Sequence, residues 1–385
     1  MEGDGALVLD VGSSSVKCGF SGEDAPRVVV PSVVASLGAR DQERAKVLRR
    51  LGTIEGGVKS LNLGGEDTDV QHVVNRGKVV DWDNMEKLLE GVFAVEMDAM
   101  QSDSLSMPIL VAESPNTSKE DREKLTQILF ETFKASGVAF ANSAVLSLFA
   151  SGRTRGMLLE CGSGVSHAVP VFEGFSLPHA LLKLDAAGQD VTSYLQKNFR
   201  KQLSYQSIRD MKHELANCNP VSGPGAITKK TEYELPDGTT VQVDGIYTSA
   251  CIDQLFDPDE YGVENLDGGL GEIVVKSIQS CDTDVQADLF SNVVLAGGTT
   301  MTEGFSDRLK REIMNNGIDN PQISNLNVVP DARGNEPGYN SQRKTAAWIG
   351  GSILASLDTF PKISISKQDY EDTGSASIVN RKAVL

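Results

Sequence analysis

The chain has 385 residues, 40% of them apolar, which is enough for two or more domains with a buried core in each. Its formal charge of −17 argues against non-specific binding to nucleic acid or to an anionic membrane surface, because both are polyanions. No apolar run has the length that spans a bilayer, the five cysteines never form close pairs and the four histidines never stand one helical turn apart, which sets aside membrane spans, a disulfide framework and a structural metal. A metal is expected only in company with a ligand. The stretch Met1 to Ala6 carries neither the basic region nor the long apolar segment of a signal peptide, so an intracellular protein is expected.

The first predicted strand is the apolar run Ala6 to Leu9, which ends in Asp10 and a Gly/Ser turn and returns through Val16 to Phe20. A basic stretch from Arg40 to Lys59 follows and reads as a solvated helix in an inserted loop. Ser118, with Lys119, Glu120 and Asp121 behind it, predicts a helix start with a capping box. Leu125, Ile128, Leu129 and Phe133 then share one helical face, and Gly137 is expected to end that helix. A second apolar run, Met157 to Leu159, ends in Glu160 and another Gly/Ser turn before Ala168 to Phe172. A third glycine turn follows the predicted strand Asn292 to Leu295, with Gly297 and Gly298 ahead of Thr299 and Thr300 and a helix from near Ser306. This alternation implies an α/β architecture with mixed sheets.

The first two turns superpose. Asp10, Gly12, Ser13 and Lys17 fall on Glu160, Gly162, Ser163 and His167 at a constant spacing of 150 residues, the mark of an internal duplication. A phosphate needs several hydrogen-bond donors on a concave surface, and small residues let backbone N–H groups approach it. Ser13, Ser14 and Ser15 suit one side of a terminal phosphate and Gly162, Ser163 and Gly164 the other, with Lys17 neutralising charge. Asp10 and Glu160, at the strand ends, are placed to hold hydrated magnesium through water. Either loop taken singly reads better as an ordinary hairpin, and it is the matched pair with the third glycine turn that favours the phosphate clamp.

The strings Leu9 to Gly19 (LDVGSSSVKCG), Ala144 to Arg153 (AVLSLFASGR), Gly162 to His179 (GSGVSHAVPVFEGFSLPH), Leu295 to Met301 (LAGGTTM) and Trp348 to Leu357 (WIGGSILASL) resemble actin closely, as do Ile365 to Tyr370 and Ser377 to Lys382. The resemblance covers nearly the whole chain. It implies an α/β, duplicated actin-like (ribonuclease H-like) two-domain fold, shared with chaperone ATPases and sugar kinases, with a nucleotide cleft between the halves for ATP or ADP and magnesium. On that pattern, residues 1–31, 77–150 and 346–385 form the large subdomain of the first half and 32–76 its small one. Residues 151–186 and 267–345 form the large subdomain of the second half and 187–266 its small one.

Carried over by resemblance, Asp10 and Glu160 are the acids near magnesium, and Gly12, Ser13, Ser14, Ser15 and Lys17 form the first phosphate loop. Gly162, Ser163, Gly164 and Val165 form the second, and His167 is the histidine near the attacking water. Arg209, Lys212, Gly297, Gly298, Thr299, Met301 and Lys344 surround the nucleoside. Departures are Ser14 for a glycine, Glu160 and Ser163 for aspartates, His213 for a glutamate and Thr302 for a tyrosine. Ser143 stands where the family has the glutamine that positions the hydrolytic water. A serine is shorter and cannot present a donor and an acceptor at the same point, and a misplacement near one ångström costs about a hundredfold in rate. Slow hydrolysis is expected unless a neighbour such as Asn142 or His167 compensates.

Several surfaces depart as well. Ser36 to Asn75 lacks the family's apolar loop tip, and the histidine-bearing segment near the phosphate sensor has no recognisable counterpart. Asp257 to Asn265 puts acids in place of an apolar plug, Phe199 to Ile227 is abbreviated and Arg333 to Arg343 is an insertion. Self-association is therefore expected to be altered. The groove in which partner helices dock is retained in Phe149, Ala150, Gly152, Thr154, Phe175, Ile353 and Leu357, although these residues equally suit packing between the large subdomains. The favoured expectation is an ATP-binding actin-related protein, cytoplasmic and cytoskeletal or a subunit of a larger actin-related assembly. A filament-forming cytoskeletal actin that hydrolyses ATP is the first alternative, and a subunit of a nuclear chromatin-remodelling complex is the second. A chaperone ATPase or a sugar kinase is the weakest reading, since no peptide-binding domain is expected beyond the actin-like tail and no substrate base is found.

Overall fold

The computed structural model describes residues 5–37, 68–97, 99, 104–199, 203–218, 230–235, 238–261, 268–331 and 336–375. The basic stretch Arg40 to Lys59 and the tail Ser377 to Lys382 lie outside them, as do parts of the acidic plug, of Phe199 to Ile227 and of the insertion at Arg333. Two compact units form, one from Met1–Gly152 with Thr345–Leu385 and the other from Arg153–Lys344.

In the first unit, the runs that alternate poorly and stay apolar become strands covered on both faces. Leu7–Val11 pairs antiparallel with Ser15–Phe20 and parallel with Pro108–Glu113, which in turn pairs parallel with Gly137–Asn142. Val28–Pro31 and Ile365–Ser366 complete the two edges of this sheet. Alternate side chains of one strand feed opposite layers. Leu7 and Leu9 join Met85, Leu89, Phe93 and Phe133 on one face, while Val8 packs with Leu110, Leu146 and Trp348 on the other. The second layer contains the helices Ser143–Ala150 and Ala346–Ala355, which approach so closely that a Cβ on Gly350 would lie 1.8 Å from the Leu146 carbonyl oxygen.

The second unit repeats the plan. Gly156–Cys161 pairs antiparallel with Ser166–Phe172 and parallel with Val293–Ala296, and Val328–Val329 lies beyond. Met157, Leu159 and Cys161 supply one face of its core, with Ile273, Val274, Phe290 and Leu309 packed above. The duplication extends to register: Asp10 faces Lys17 and Ala112, and Glu160 faces His167 and Ala296.

One predicted boundary is corrected. Ser118 does cap its helix, its Oγ accepting the Asp121 N–H at 3.0 Å, but the α-helix runs only over Lys119–Gln127. It widens into a π-helical turn, Ile128–Thr132, closed by the Phe133 N–H on the Ile128 carbonyl. Gly137 is not the terminator: it opens the next strand, where a Cβ would meet the Ile365 carbonyl at 3.3 Å. Ile128, Leu129 and Phe130 are all buried in the widened turn.

Candidate functional site

In each unit the glycine turn sits at the carboxyl end of a parallel strand, where open α/β sheets receive ligands. The first turn closes with the Gly12 N–H on the Ser15 carbonyl at 3.1 Å. Cross-strand pairing brings Lys17 Nζ to 2.7 Å from Asp10 Oδ2, in a largely buried ion pair. The Ser32 hydroxyl donates to the Gly12 carbonyl at 2.5 Å, and the Ser32 N–H donates to the Ser14 carbonyl. The Gly77 N–H donates to Ser13 Oγ at 2.9 Å.

That last contact ties the first loop to a segment distant in sequence. A two-stranded hairpin, Val74–Asn75 with Lys78–Val79, reaches the first loop through a turn in which Arg76 and Gly77 both have positive φ, 46° and 75°. Two short valine-bearing runs around an Arg-Gly pair are a hairpin signal readable in sequence, and positive φ at both turn positions matches the twist of such hairpins. Ser143, 6% exposed, opens its helix directly behind the strand Gly137–Asn142. Asn142 is the cap: its Oδ1 accepts the Ala144 N–H at 2.9 Å. That acceptor is therefore spent on the helix, which weakens the idea that Asn142 substitutes for a missing glutamine.

In the second unit, the Gly162 N–H closes the turn on the Val165 carbonyl at 3.3 Å. The carbonyls of Gly162 and Ser163 accept the N–H groups of Gly188 and Gln189, the first residues of the helix Gly188–Asn198, at 3.1 and 2.7 Å. Thr299 Oγ1 donates to the same Gly162 carbonyl at 2.7 Å, and Lys212 Nζ donates to the Gly188 carbonyl at 2.8 Å. The crowding at this hub leaves no room for a side chain. A Cβ on Gly188 would lie 2.6 Å from Thr299 Oγ1, and one on Gly297, whose φ is +88°, would lie 2.3 Å from the Cys161 carbonyl. Gly188 was not singled out from sequence, although the small run Ala186 to Gly188 before the helix-capping Asp190 marks a close approach.

His167 is 2% exposed, beside Glu160 in register, and its Nε2 has no hydrogen-bond partner. Burial, with a further push from Lys183, lowers its pKa to about 4, so the imidazole is neutral near pH 7. Burial and the neighbouring Arg209 lower Lys212 to about 8. Lys212, His213, Gly298, Thr299, Met301 and Thr302, with Glu214 and Glu303, line a cavity of about 230 Å³. Arg209 and Lys344 act electrostatically on His213 at the same place. The second unit thus brings Lys212, Gly298, Thr299 and Met301 to one cavity, with Glu214 and Glu303 also at its wall, while the turn Gly162–Val165 is joined to it through Thr299.

In the second unit, the orphaned neutral imidazole, the cavity with Lys212 at its wall beside Glu214 and Glu303, and the glycine turn are groups that suit a nucleotide. Among the described residues no group of three or more His, Cys, Asp or Glu side chains is arranged to hold a metal alone. Each unit carries one carboxylate at the base of its turn, Asp10 in the first and Glu160 in the second. Of the predicted partner groove, Ile353 and Leu357 are exposed in the first unit, and Phe175 is exposed in the second. No described helix is long and apolar enough to cross a membrane. In comparisons with known protein families, the Actin family model matches residues 1–219 and 205–384.

Proposed function

The chain belongs to the actin family, and from that premise we propose that it is an actin-related protein that binds ATP or ADP with magnesium, hydrolyses ATP slowly and works as a subunit of a larger cytoskeletal or nuclear assembly. The observation that carries the nucleotide reading is the pair of hairpins at matched register, with Asp10 facing Lys17 and Glu160 facing His167. The family generally binds nucleotide with a divalent metal. In this chain Ser13, Lys17 and the Gly162–Val165 turn would hold phosphates, while Arg209, Lys212, Met301 and Lys344 would line the nucleoside side. Asp10 and Glu160 would hold the ion through water, and magnesium, when bound, neutralises phosphate charge.

Slow hydrolysis rests on Ser143. It fills the glutamine position with a shorter side chain, and the Asn142 acceptor beside it is committed to the helix cap. The neutral His167 can accept or donate one hydrogen bond at Nε2 but is fixed within its strand. Replacing Ser143 with Gln is expected to raise phosphate release by about one to two orders of magnitude with little change in nucleotide affinity. The double variant Ser143→Gln with Glu160→Asp separates a misplaced water from a displaced metal. Wild-type turnover as fast as that of filamentous actin assayed alongside would defeat the reading.

Subunit rather than filament behaviour is supported by Asp259 and Glu260, both exposed, where the family's apolar plug begins. Exposed Ile353 and Leu357 offer an amphipathic partner helix some apolar surface.

A further inference from the structure

The strand Val293–Ala296 carries the third glycine turn, yet its outer neighbour covers only half of it. Val328 and Val329 pair with Val293 and Val294, and among the described residues no strand continues this pairing at Leu295. The segment from Glu336 to Arg343, within the stretch expected from the sequence to be an insertion, takes over from there. Arg153 clamps its start, donating to both carboxylate oxygens of Glu336 at 2.6 and 3.1 Å, while Arg153 Nε donates to Asn292 Oδ1 at the foot of the strand. In the middle, the buried Tyr339 hydroxyl donates to the Leu295 carbonyl at 2.9 Å. At its end, the Arg343 carbonyl accepts the Gly297 N–H at 3.0 Å. Three successive points of the strand and its turn are thus fixed by one strap.

We propose that the Glu336–Arg343 strap positions the third glycine turn, and that Tyr339 and the Arg153–Glu336 pair are positioning residues for the phosphate-binding loop of the second unit. The connection to that loop is direct. Gly297 packs on Cys161 and Gly162 at a distance that excludes a Cβ, and Thr299 Oγ1 donates to the Gly162 carbonyl. A turn released from the strap would shift the acceptor side of Gly162, whose carbonyl also receives the Gly188 N–H. Because buried main-chain groups are nearly always paired, losing the Tyr339 hydroxyl leaves the Leu295 carbonyl to find a substitute by local opening.

The part concerning phosphate binding rests on the nucleotide reading above; the part concerning the turn does not. Hydrogen–deuterium exchange of the full chain, followed for peptides covering Gly162–Val165, Leu295–Met301 and the helix Leu270–Gln279, tests it. The proteins compared are wild type, Tyr339→Phe, Glu336→Gln and the exchange Arg153→Glu with Glu336→Arg. Tyr339→Phe and Glu336→Gln are expected to speed exchange at both turns about three- to tenfold, the factor corresponding to one net hydrogen bond, and to leave Leu270–Gln279 unchanged. The charge exchange is expected to restore protection, and calorimetric affinity for ATP with magnesium is expected to fall by a similar factor in the two single variants only. Unchanged exchange at both turns, or an equal rise throughout the second unit, would overturn the proposal. Faster exchange at the turns in a protein that takes up no nucleotide even as wild type would support the strap while rejecting the nucleotide reading.

Discussion

His167 is held neutral by its burial in the strand Ser166–Phe172, and that neutrality has a pH signature. An unfolded histidine titrates near 6.5, whereas this one titrates at about 4. Between those values the unfolded chain takes up a proton that the folded chain refuses, so this group removes stability as pH falls from 6.5 towards 4. It has no effect of its own above 6.5. The loss is on the order of 3 kcal/mol across the window. Asp253 works in the opposite sense, because burial raises its carboxyl to about 6 despite the Arg308 guanidinium 2.6 Å away. A single stability curve mixes the two. The difference between wild type and His167→Asn isolates the histidine, and urea unfolding at pH 7 and pH 4.5 is expected to show the variant gaining on wild type at the lower pH. A difference that stays constant would mean that the imidazole is protonated in the folded state.

The elements show why some of the chemistry was legible before the structure and some was not. A glycine turn between two apolar runs announces itself, because strand, acid and small residues must be contiguous, and the 150-residue spacing survives as identical register in both hairpins. What the turns touch is not contiguous. Ser13 meets Gly77 across 64 residues, and Gly162 meets Thr299 across 137. Nothing local in Ser32 states that it braces a loop, and the small run before Gly188 marks a close approach without naming its partner. The π-helical turn after Gln127 also escaped, since the helical spacing of Leu125, Ile128, Leu129 and Phe133 does not distinguish it from a continuing α-helix. Close packing between Ser143–Ala150 and Ala346–Ala355 gives a direct element-level expectation. Gly350→Ala drives a methyl against the Leu146 backbone and is expected to cost about 2–3 kcal/mol. Gly91→Ala, where a Cβ meets nothing within 4 Å on right-handed backbone, is expected to be neutral or to stabilise by a few tenths of a kcal/mol. Denaturant midpoints of the two variants check both. Equal midpoints would show that the helix pair relaxes to admit the methyl.

For the whole molecule, family membership and two units each carrying a glycine turn support nucleotide binding, while the exposed acids Asp259 and Glu260 work against close apolar contact between copies. Pure protein at micromolar concentration is expected to stay mostly in the supernatant on sedimentation with ATP and magnesium, and robust double-stranded filaments in the pellet would contradict that. Binding of ATP with magnesium, proposed above, is open to a narrower test. Isothermal titration calorimetry of the full chain tests it most directly. One molecule of ATP is expected to bind per chain in the presence of magnesium, with a rise in melting temperature that grows with ligand concentration, corresponding to about 2.7 kcal/mol at a hundred times Kd. No heat and no rise in melting temperature at millimolar ATP and magnesium would contradict it.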